Sequence, residues 1–397
     1  MNKKWRIAFV IPRFGVTKAG GAETLVEALS VRLGDKGHKV EVLTTCAQDH
    51  ETWQNDLDPG EEHYQQISVH RFEVDERPDT CSFGRLQNRI ERRWILSKRE
   101  QLRWIQGSVQ SRRLYQHIQD HQDQWDFIIF APYLFGITYF GARIVPRKSI
   151  LIPCLHPEPY AELDIFSDMF HSVCGIICNA VSEKELVQRL FHLDEERCRV
   201  VGMGFDVLQQ KTSPEQFREK FGLGDDPVLL YAGRKEKGKN IDRLLHYFSS
   251  YKKNKASCNL KLVFIGSGML PYSNIPDVYD LGYVSEQDKM SAYHAATMLC
   301  QPSINESFSI VVMEAWLAKL PVLVNADCAV TQDHVMHSQG GLVFRGFYEF
   351  EAALTLLLDN KTMRSVMGDC GNRYVLEEFN WETIISRFEE ALEHFQT

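Results

Sequence analysis

Short apolar runs alternate along the chain with stretches whose apolar residues recur every three or four positions. In the first half, residues 22–33 have this helical spacing and end at Gly34. The short runs on either side predict strands at Arg6–Ile11, Lys39–Thr45, Ser68–Phe72, Phe127–Phe130 and Ser149–Cys154. Strand, glycine turn, helix and strand form a βαβ unit, which is typical of a parallel sheet.

The second half repeats this pattern. Strands are predicted at Pro227–Ala232, Leu260–Ile265, Met298–Gln301 and Pro321–Asn325, and helices at Asn240–Lys252, Glu286–Ala296 and Ile310–Ala318. The polar segment Gly204–Asp226 separates the two halves and is predicted to be the linker. The pattern therefore predicts two doubly wound α/β domains of similar size with a cleft between them.

Length and composition agree with two globular domains and exclude several classes of protein. The 397 residues carry a formal net charge of -8, which argues against a general nucleic-acid binder. Ten scattered cysteines without a CxxC pair indicate reduced thiols of a cytosolic protein rather than disulfides or zinc. No window contains the roughly 20 apolar residues of a membrane span, and the run Ile7–Ile11 is too short for a signal peptide.

Two carboxylates, Glu306 and Glu314, stand eight residues apart after a predicted strand. We expect Glu306 in the loop at the end of the strand and Glu314 inside a buried helix, where it needs polar partners such as sugar hydroxyls. Residues 307–309 form the predicted helix start, whose free N–H groups and dipole attract phosphate. The alternative is a plain serine cap, with Glu314 paired to a structural arginine.

Two cations follow the strand that ends at Ala232. Arg234 and Lys239 lie at its carboxyl end, where open α/β sheets bind ligands. The planar fork of arginine and the mobile charge of lysine suit a diphosphate. The loop does not match the GxxxxGK[ST] phosphate-binding pattern. The alternative is that the charged residues of this loop are only exposed to water and bind no ligand.

Glycines and one histidine mark three further strand ends. Gly20 and Gly21 precede the first helix, where they allow a ligand to approach the backbone closely. Gly266 follows the strand ending at Ile265, and His156 follows the last strand of the first half. The chain lacks GxGxxG at these positions, which disfavours a nicotinamide oxidoreductase.

Taken in order, these motifs resemble glycosyltransferase family 4, also called group 1, whose members have the GT-B fold of two Rossmann-like domains facing each other across a deep cleft. The resemblance covers nearly the whole chain. It rests on the following segments: Gly20-Gly21-Ala-Glu23, His156, Cys178-Asn-Ala-Val-Ser-Glu183, Gly202-Met-Gly-Phe-Asp206, Gly233-Arg234 with Lys239, Leu281-Gly-Tyr-Val-Ser-Glu286, and Glu306-x7-Glu314.

The resemblance implies a role for each matched position. Arg234 and Lys239 would hold the donor diphosphate, Glu314 the ribose and Glu306 the transferred sugar. His156 would contact the sugar near the reacting centre. The remaining donor contacts would come from Gly20, Gly21, Gly266, Tyr283, Val284, Ser307, Phe308 and Ser309. Two departures from the family stand out: serines replace the glycines often found after the first Glu, and Pro157 stands where relatives often carry Asp.

The resemblance also implies a retaining, metal-independent transfer from a UDP-sugar or GDP-mannose to a glycan or lipid-linked acceptor, with no cofactor. It further implies domains at residues 1–203, with a C-terminal helix 381–397 crossing back, and at residues 204–380. A DxD does occur at Asp56-Leu57-Asp58, but it precedes Pro59-Gly60 and is expected to be a turn. Two alternatives stay open: a nucleotide-sugar epimerase and a non-catalytic sugar-nucleotide-binding protein.

One segment departs from the acidic balance of the chain. Arg85–Arg113 contains nine Arg or Lys and two acidic residues, with tryptophan and aliphatic residues interleaved at roughly helical spacing. It predicts a basic amphipathic helix that contacts an anionic membrane or a lipid-diphosphate acceptor. A helix packed on the first domain with its charges in water is an equal alternative. We therefore expect a cytoplasmic protein, peripheral on the inner face of the membrane.

Overall fold

The computed structural model describes residues 3–16, 19–76, 80–206, 213–255, 257–272 and 274–396. Contacts within the chain divide it into two compact units. The first unit comprises Met1–Gly204 and Trp381–Thr397, and the second comprises Phe205–Asn380. Thr17 and Lys18 of the glycine-rich loop, and residues 207–212 of the predicted linker, lie outside the described residues.

The first unit is built on one eight-stranded sheet. Its strands are β1 (Arg6–Val10), β2 (Lys39–Thr45), β3 (Gly60–Tyr64), β4 (Ile67–Phe72), β5 (Phe127–Phe130), β6 (Ser149–Leu151), β7 (Gly175–Cys178) and β8 (Cys198–Val200). Its helices are α1 (Gly21–Asp35), α2 (Thr80–Glu91), α3 (Lys98–Gln106), α4 (Arg112–His121), α5 (Gly136–Gly141), α6 (Asp164–Ser172), α7 (Val181–Phe191) and, from the end of the chain, α15 (Trp381–Gln396). The strand order is β3-β4-β2-β1-β5-β6-β7-β8, and only the β3–β4 pair is antiparallel.

The second unit is built on a six-stranded parallel sheet. Its strands are β9 (Val228–Ala232), β10 (Lys261–Ile265), β11 (Val278–Asp280), β12 (Met298–Gln301), β13 (Val322–Asn325) and β14 (Gly341–Phe344). Its helices are α8 (Pro214–Lys220), α9 (Ile241–Asn254), α10 (Glu286–Ala295), α11 (Ile310–Leu317), α12 (Ala329–Ser338), α13 (Phe347–Asp359) and α14 (Lys361–Glu378). The order β11-β10-β9-β12-β13-β14 reverses between β9 and β12.

Burial explains why these segments form central strands. Every residue of β5, β9, β12 and β13 is buried, as expected of parallel strands covered by helices on both faces. Each unit also has its own cluster of buried apolar side chains. The two Rossmann-like parallel sheets confirm the predicted α/β fold class.

Two elements that the sequence pattern does not predict, β3 and α8, have mostly polar side chains. The strand β3 has the sequence GEEHY and is exposed except at Tyr64, which is half-buried, so it shows neither an alternation of apolar residues nor an apolar run. It sits at the sheet edge, where charged side chains discourage pairing with another chain. The predicted linker Gly204–Asp226 contains the helix α8, which begins at a proline and buries Phe217. One buried aromatic in a polar segment is too weak a signal to predict a helix.

The basic segment Arg85–Arg113 is not one amphipathic helix. It spans α2, α3 and the start of α4, and α2 ends where Arg93 adopts a left-handed conformation with φ of 56°. Its apolar residues Trp104, Ile105 and Val109 are buried in the first unit. Five of its cations form ion pairs: Arg89, Arg93, Lys98, Arg112 and Arg113. The continuous helix is therefore wrong, because the buried residues follow the core rather than one face.

Two further observations bear on the predicted class of protein. All ten cysteines are free thiols. A search of the described helices finds none that has both the length and the apolar character needed to span a membrane.

Helix α14 packs on α11 at glycines, because a side chain at those points would collide with backbone or tryptophan. A Cβ atom at Gly368 would lie 1.9 Å from the carbonyl oxygen of Lys319, and one at Gly371 would lie 2.2 Å from the ring of Trp316. The backbone of α14 therefore lies against α11, the helix that carries Glu314.

We predict that Gly368→Ala lowers the free energy of unfolding by about 1–3 kcal/mol, because the added methyl group forces apart two backbones that cannot yield independently. Urea denaturation measures the change. Gly84→Ala is the control, since a Cβ there meets nothing within 4 Å inside α2, and it should be neutral or stabilising. Equal stability of the Gly368 variant and the wild type would contradict this close contact.

Candidate functional site

The candidate site of the second unit lies at the carboxyl ends of three neighbouring strands. Arg234 follows β9, Glu306 follows β12 and Gly266 follows β10. In the sheet, β9 pairs with both β10 and β12, so these three ends adjoin. The order reverses between β9 and β12, and ligands of open α/β sheets bind at such a reversal.

An ion pair joins the first two of these loops. The ammonium group of Lys239 lies 2.8 Å from a carboxylate oxygen of Glu306. Gln301 also donates to this oxygen, at 3.4 Å. The side chains of Lys239 and Glu306 are 21% and 11% exposed, so the pair is only partly screened by water. The structure thus brings together two residues that stand 67 positions apart in the chain.

Arg234 precedes Lys239 by five residues in the loop after β9, and its side chain is half exposed. Its guanidinium is 3.6 Å from the carboxylate of Glu236, a long contact between two exposed groups. Its own carbonyl accepts a hydrogen bond from the hydroxyl of Tyr231, at 2.8 Å. The backbone at Arg234 is therefore fixed, while most of the guanidinium donors can be offered to an anion.

A buried lysine holds the loop after β9 against the loop after β10. The side chain of Lys235 is fully buried, forms an ion pair with Asp280 at 2.7 Å and donates to the carbonyl of Gly266 at 2.6 Å. Gly266 has φ of +122°, and a Cβ there would lie 2.1 Å from the carbonyl oxygen of Gly233. Only glycine permits this contact, so Gly266 has a structural role whatever else it contacts.

The start of α11 presents backbone N–H groups beside Glu306. Ser309 is the N-cap residue, and its left-handed conformation, with φ of 73°, favours glycine. Its side chain makes no capping hydrogen bond, and its hydroxyl is buried with no partner among the described residues. The Phe308 ring packs against Phe205, His334 and Phe379. Ser307 is half-buried, so backbone groups rather than the Phe308 side chain are available here to an anion.

Glu314 is held inside α11 by partners from α10. Lys289 lies 2.8 Å from one of its carboxylate oxygens, and the Tyr293 hydroxyl donates to the other at 2.8 Å. Burial lowers the pKa of Lys289, but the attraction of Glu314 and Glu286 exceeds this effect and leaves that pKa raised. Burial, together with Glu314, raises the pKa of Tyr293. The expected partner of Glu314 was an arginine or a sugar; the structure supplies lysine and tyrosine.

Tyr283 and Val284 follow β11 on the same side of the sheet. Gly282, with φ of +67°, turns the chain after the strand and donates its N–H to Asp280 at 3.0 Å. Tyr283 is 59% exposed and Val284 is half-buried. An exposed aromatic ring next to a turn is a suitable surface on which a nucleotide base can stack.

In the first unit, the glycine pair begins α1. Gly20 is the N-cap residue, and its N–H donates to Glu23 at 3.0 Å. The other Glu23 oxygen lies 2.5 Å from Arg13, which is buried and also donates to the carbonyl of Gln48. Glu23 therefore stabilises the start of α1 and neutralises a buried arginine at the same time.

His156 lies in the loop after β6, with its ring 28% exposed. Its Nδ1 atom is buried and makes no hydrogen bond to any described residue. A carboxylate oxygen of Glu158 lies 3.7 Å from this atom. The loop is also held from behind, because the N–H of Leu155 donates to the buried carboxyl of Glu183 at 2.5 Å.

The DxD sequence does not lie at any of these strand ends. Asp56 and Asp58 are exposed in the loop that precedes β3. Within the described ranges, no group of three or more His, Cys, Asp or Glu side chains could hold a metal ion.

Sequence reasoning missed the residues that support the site from behind. Lys235 looked like one of several loop charges, although it is buried, and nothing in the local pattern distinguishes it from its neighbours. Lys289 and Tyr293 stand four residues apart and so share one face of a helix, but this spacing does not indicate that the face contacts Glu314. Glu158 lies between two prolines, and nothing in that pattern indicates a role for it.

Comparisons with known proteins give a family match inside the second unit. Residues 213–374, within the second unit, match the family model of glycosyl transferases group 1. An uncharacterized glycosyltransferase of Methanocaldococcus jannaschii is 30% identical over 170 residues, which is 38% of this chain and 42% of that protein. A D-inositol 3-phosphate glycosyltransferase of Nocardia farcinica is 23% identical over 380 residues, 89% of this chain and 80% of that protein.

The chain spans about half the length of the first curated relatives that it matches, with 42% and 59% of their sequences aligned. Solved structures show the same fold over greater lengths. HepE of Anabaena, in complex with UDP and glucose, has a TM-score of 0.71 at 16% identity, and covers 98% of this chain and 99% of its own. The trehalose-6-phosphate synthase OtsA has a TM-score of 0.75 at 11% identity, with coverage of 98% and 99%.

These neighbours share the GT-B fold, which is therefore the fold of this chain. Residues 213–374 are therefore similar to the group 1 glycosyl transferases, and the chain as a whole shares the fold of these neighbours.

Proposed function

We propose that the protein is a retaining glycosyltransferase of family 4 that moves a sugar from a nucleotide-sugar to a glycan or lipid-linked acceptor. One observation carries the proposal. Arg234, Lys239 and the N-terminus of α11 converge on adjoining strand ends around Glu306. That arrangement combines positive charge for a diphosphate with a carboxylate for sugar hydroxyls.

The residue roles follow from this arrangement and from the family resemblance. Arg234 and Lys239 would bind the diphosphate, helped by the backbone at residues 307–309. Glu306 would accept hydrogen bonds from the transferred sugar, and Glu314 from the ribose. Tyr283, Val284 and Gly266 would contact the nucleotide side of the donor. In the first unit, Gly20, Gly21 and His156 would contact the diphosphate and sugar.

The proposed transfer breaks the bond from the anomeric carbon to the diphosphate oxygen and forms a bond to an acceptor hydroxyl on the same face of the sugar. The electron pair of the broken bond stays on the diphosphate, and the acceptor proton moves to the departing oxygen. Arg234 and Lys239 stabilise the negative charge that develops there, which is commonly a large contribution to catalysis. His156 orients the sugar or stabilises its charge and does not attack it.

We propose a chemical class for the donor and one for the acceptor. A UDP-sugar is the first candidate donor, since solved neighbours include HepE bound to UDP-glucose and a trehalose-6-phosphate synthase bound to a UDP-glucose analogue; GDP-mannose is the second. The curated relatives named for D-inositol 3-phosphate have a small phosphorylated acceptor. For this chain we propose a glycan or lipid-linked acceptor. An epimerase or a non-catalytic binding protein is not favoured.

We also propose that the enzyme works in the cytoplasm, which fits its ten free thiols, and that it touches the membrane through the turn between α2 and α3. Here Trp94 is 57% exposed and Ile95 is 94% exposed. Hydrogen bonds from the N–H of Trp94 to Arg89 and from Arg93 to Ile90 fix the turn, and Leu96 is buried beneath it.

The charges beside this turn favour an anionic surface. Arg92 and Arg99 are exposed, and neither side chain pairs with an acid in the part of the chain that the structure describes. A tryptophan and an aliphatic residue between cations suit the interface of an anionic bilayer. The membrane contact is therefore narrower than the segment 85–113 predicted from sequence.

We expect Arg234→Ala to reduce donor turnover at least roughly a hundredfold, because a preorganised cation facing the leaving group is lost. Nucleotide release from a panel of nucleotide-sugars measures this loss. Arg373→Ala, which removes an exposed arginine of α14, is the control and should retain full activity. Normal donor turnover by Arg234→Ala would show that Arg234 does not bind the diphosphate.

Chelation tests the metal-independent mechanism. Because the proposed charge stabilisation comes from side chains and backbone, full activity is expected in EDTA, and added Mg²⁺ or Mn²⁺ should change the rate by less than about twofold. The same nucleotide-release assay provides the measurement. Complete loss in EDTA, with recovery on adding metal, would overturn this part of the proposal.

Vesicle sedimentation tests whether the turn between α2 and α3 contacts a membrane. The double variant Trp94→Ser/Ile95→Ser should bind vesicles of phosphatidylglycerol and phosphatidylcholine roughly tenfold more weakly than the wild type, because less apolar surface enters the bilayer. Arg92→Gln/Arg99→Gln should weaken binding similarly, and only at low salt. Tyr348→Ser, which removes an 83% exposed aromatic residue of the second unit, is the control. Equal binding by all four proteins, or none by the wild type, would contradict a membrane contact here.

A further inference from the structure

One nitrogen of the His156 ring lies in a buried position where a hydrogen-bond partner is expected. Its Nδ1 atom is buried without a hydrogen bond to any described residue, whereas its ring as a whole is 28% exposed. Buried polar atoms normally find a hydrogen-bond partner, since a lost hydrogen bond with water is costly. The groups near Nδ1 therefore indicate which of the two ring nitrogens carries the proton.

The nearest candidate partner on the same loop is Glu158. One of its carboxylate oxygens lies 3.7 Å from Nδ1, and its side chain is only 13% exposed. Its other oxygen accepts a hydrogen bond of 2.6 Å from the Tyr133 hydroxyl. Tyr133 is buried, and its N–H donates to the carbonyl of Pro153 at 3.1 Å. The carboxylate is thus held by a rigid donor and aimed toward the imidazole.

The other side of the loop is fixed as well. The carboxyl of Glu183 accepts from the N–H of Leu155 and from the N–H of Asn179, each at 2.5 Å. Burial raises the pKa of Glu183 to about 8, although the two N–H groups act in the opposite direction. His156 therefore sits between two anchored neighbours, Leu155 and Glu158.

We propose that Glu158 is a positioning residue that holds His156 as the Nδ1–H tautomer and leaves Nε2 free to accept a hydrogen bond from a hydroxyl of the transferred sugar. A small movement of either side chain would shorten the 3.7 Å separation to a hydrogen bond. The carboxylate partner of an imidazole fixes its tautomer in this way. Glu158 would supply the carboxylate that Pro157 cannot.

The role assigned to Nε2 rests on the proposed glycosyl transfer. The assignment of the proton to Nδ1 does not depend on that proposal. The tautomer can be read without any assay of activity, from ¹⁵N chemical shifts of histidine-labelled protein at roughly pH 8.5, where neutral imidazoles predominate. The spectrum of His156→Gln identifies the His156 signals by their disappearance. Failure of the transferase proposal is thereby separated from failure of this inference.

We expect the wild type to show the Nδ1–H form of His156, and Glu158→Gln to shift it toward the Nε2–H form. Glu162→Gln is the matched control: it removes a carboxylate four residues away that is exposed and paired with Arg93, and it should leave the His156 signals unchanged. An Nε2–H form in the wild type, or the same spectrum for Glu158→Gln as for the wild type, would overturn the inference.

Kinetics supply the second readout. Glu158→Gln should lower kcat about tenfold or more, as losing the partner of a mechanistic histidine does, with the KM for the donor changed less than about twofold. In the double variant Glu158→Gln/His156→Gln, no further loss is expected beyond that of His156→Gln alone. Additive losses would show that Glu158 acts independently of His156 and would contradict the positioning role.

Discussion

The ion pair between Lys239 and Glu306 is the interaction on which the candidate site depends. It places a cation and a carboxylate at adjoining strand ends, and both side chains are largely shielded from water. Because the charges are only partly solvated, neither can be removed without leaving the other poorly compensated. Under the proposed function, a diphosphate and a sugar would each offer one of these groups a new partner, and the ion pair would hold both groups in place before the donor binds.

Other charged groups, in both units, are neutralised in the same way. Lys289 and Tyr293 satisfy Glu314, Asp280 satisfies Lys235, and Glu23 satisfies Arg13. Partly buried charges are tolerated because each has an anchored partner. In the second unit, two loop backbones are in close contact at Gly266, whereas the side chains of Arg234 and Tyr283 are exposed. Rigid support beneath open binding groups is what preorganised stabilisation of charge requires.

Apolar runs and strand-end motifs predicted the fold class and the placement of most candidate residues. The strands β5 and β12 match their predicted bounds, because every residue in them is buried and all but Gln301 are apolar. The exposed edge strand β3 and the helix α8 were missed, since their stability comes from neighbouring elements rather than from their own pattern. The basic segment illustrates the same limit: roughly helical spacing described three separate helices, broken at Arg93. Partners such as Lys289 for Glu314 depend on tertiary contact and could not be derived from spacing alone.

Calorimetric titration can show whether the second unit binds a nucleoside diphosphate through its cations. UDP and uridine, and GDP and guanosine, would each be titrated into the full chain at two salt concentrations. We expect one diphosphate to bind at least about tenfold more tightly than its nucleoside, and this difference to shrink as the salt concentration is raised. Equal affinity for diphosphate and nucleoside, or no binding of either diphosphate, would contradict this expectation.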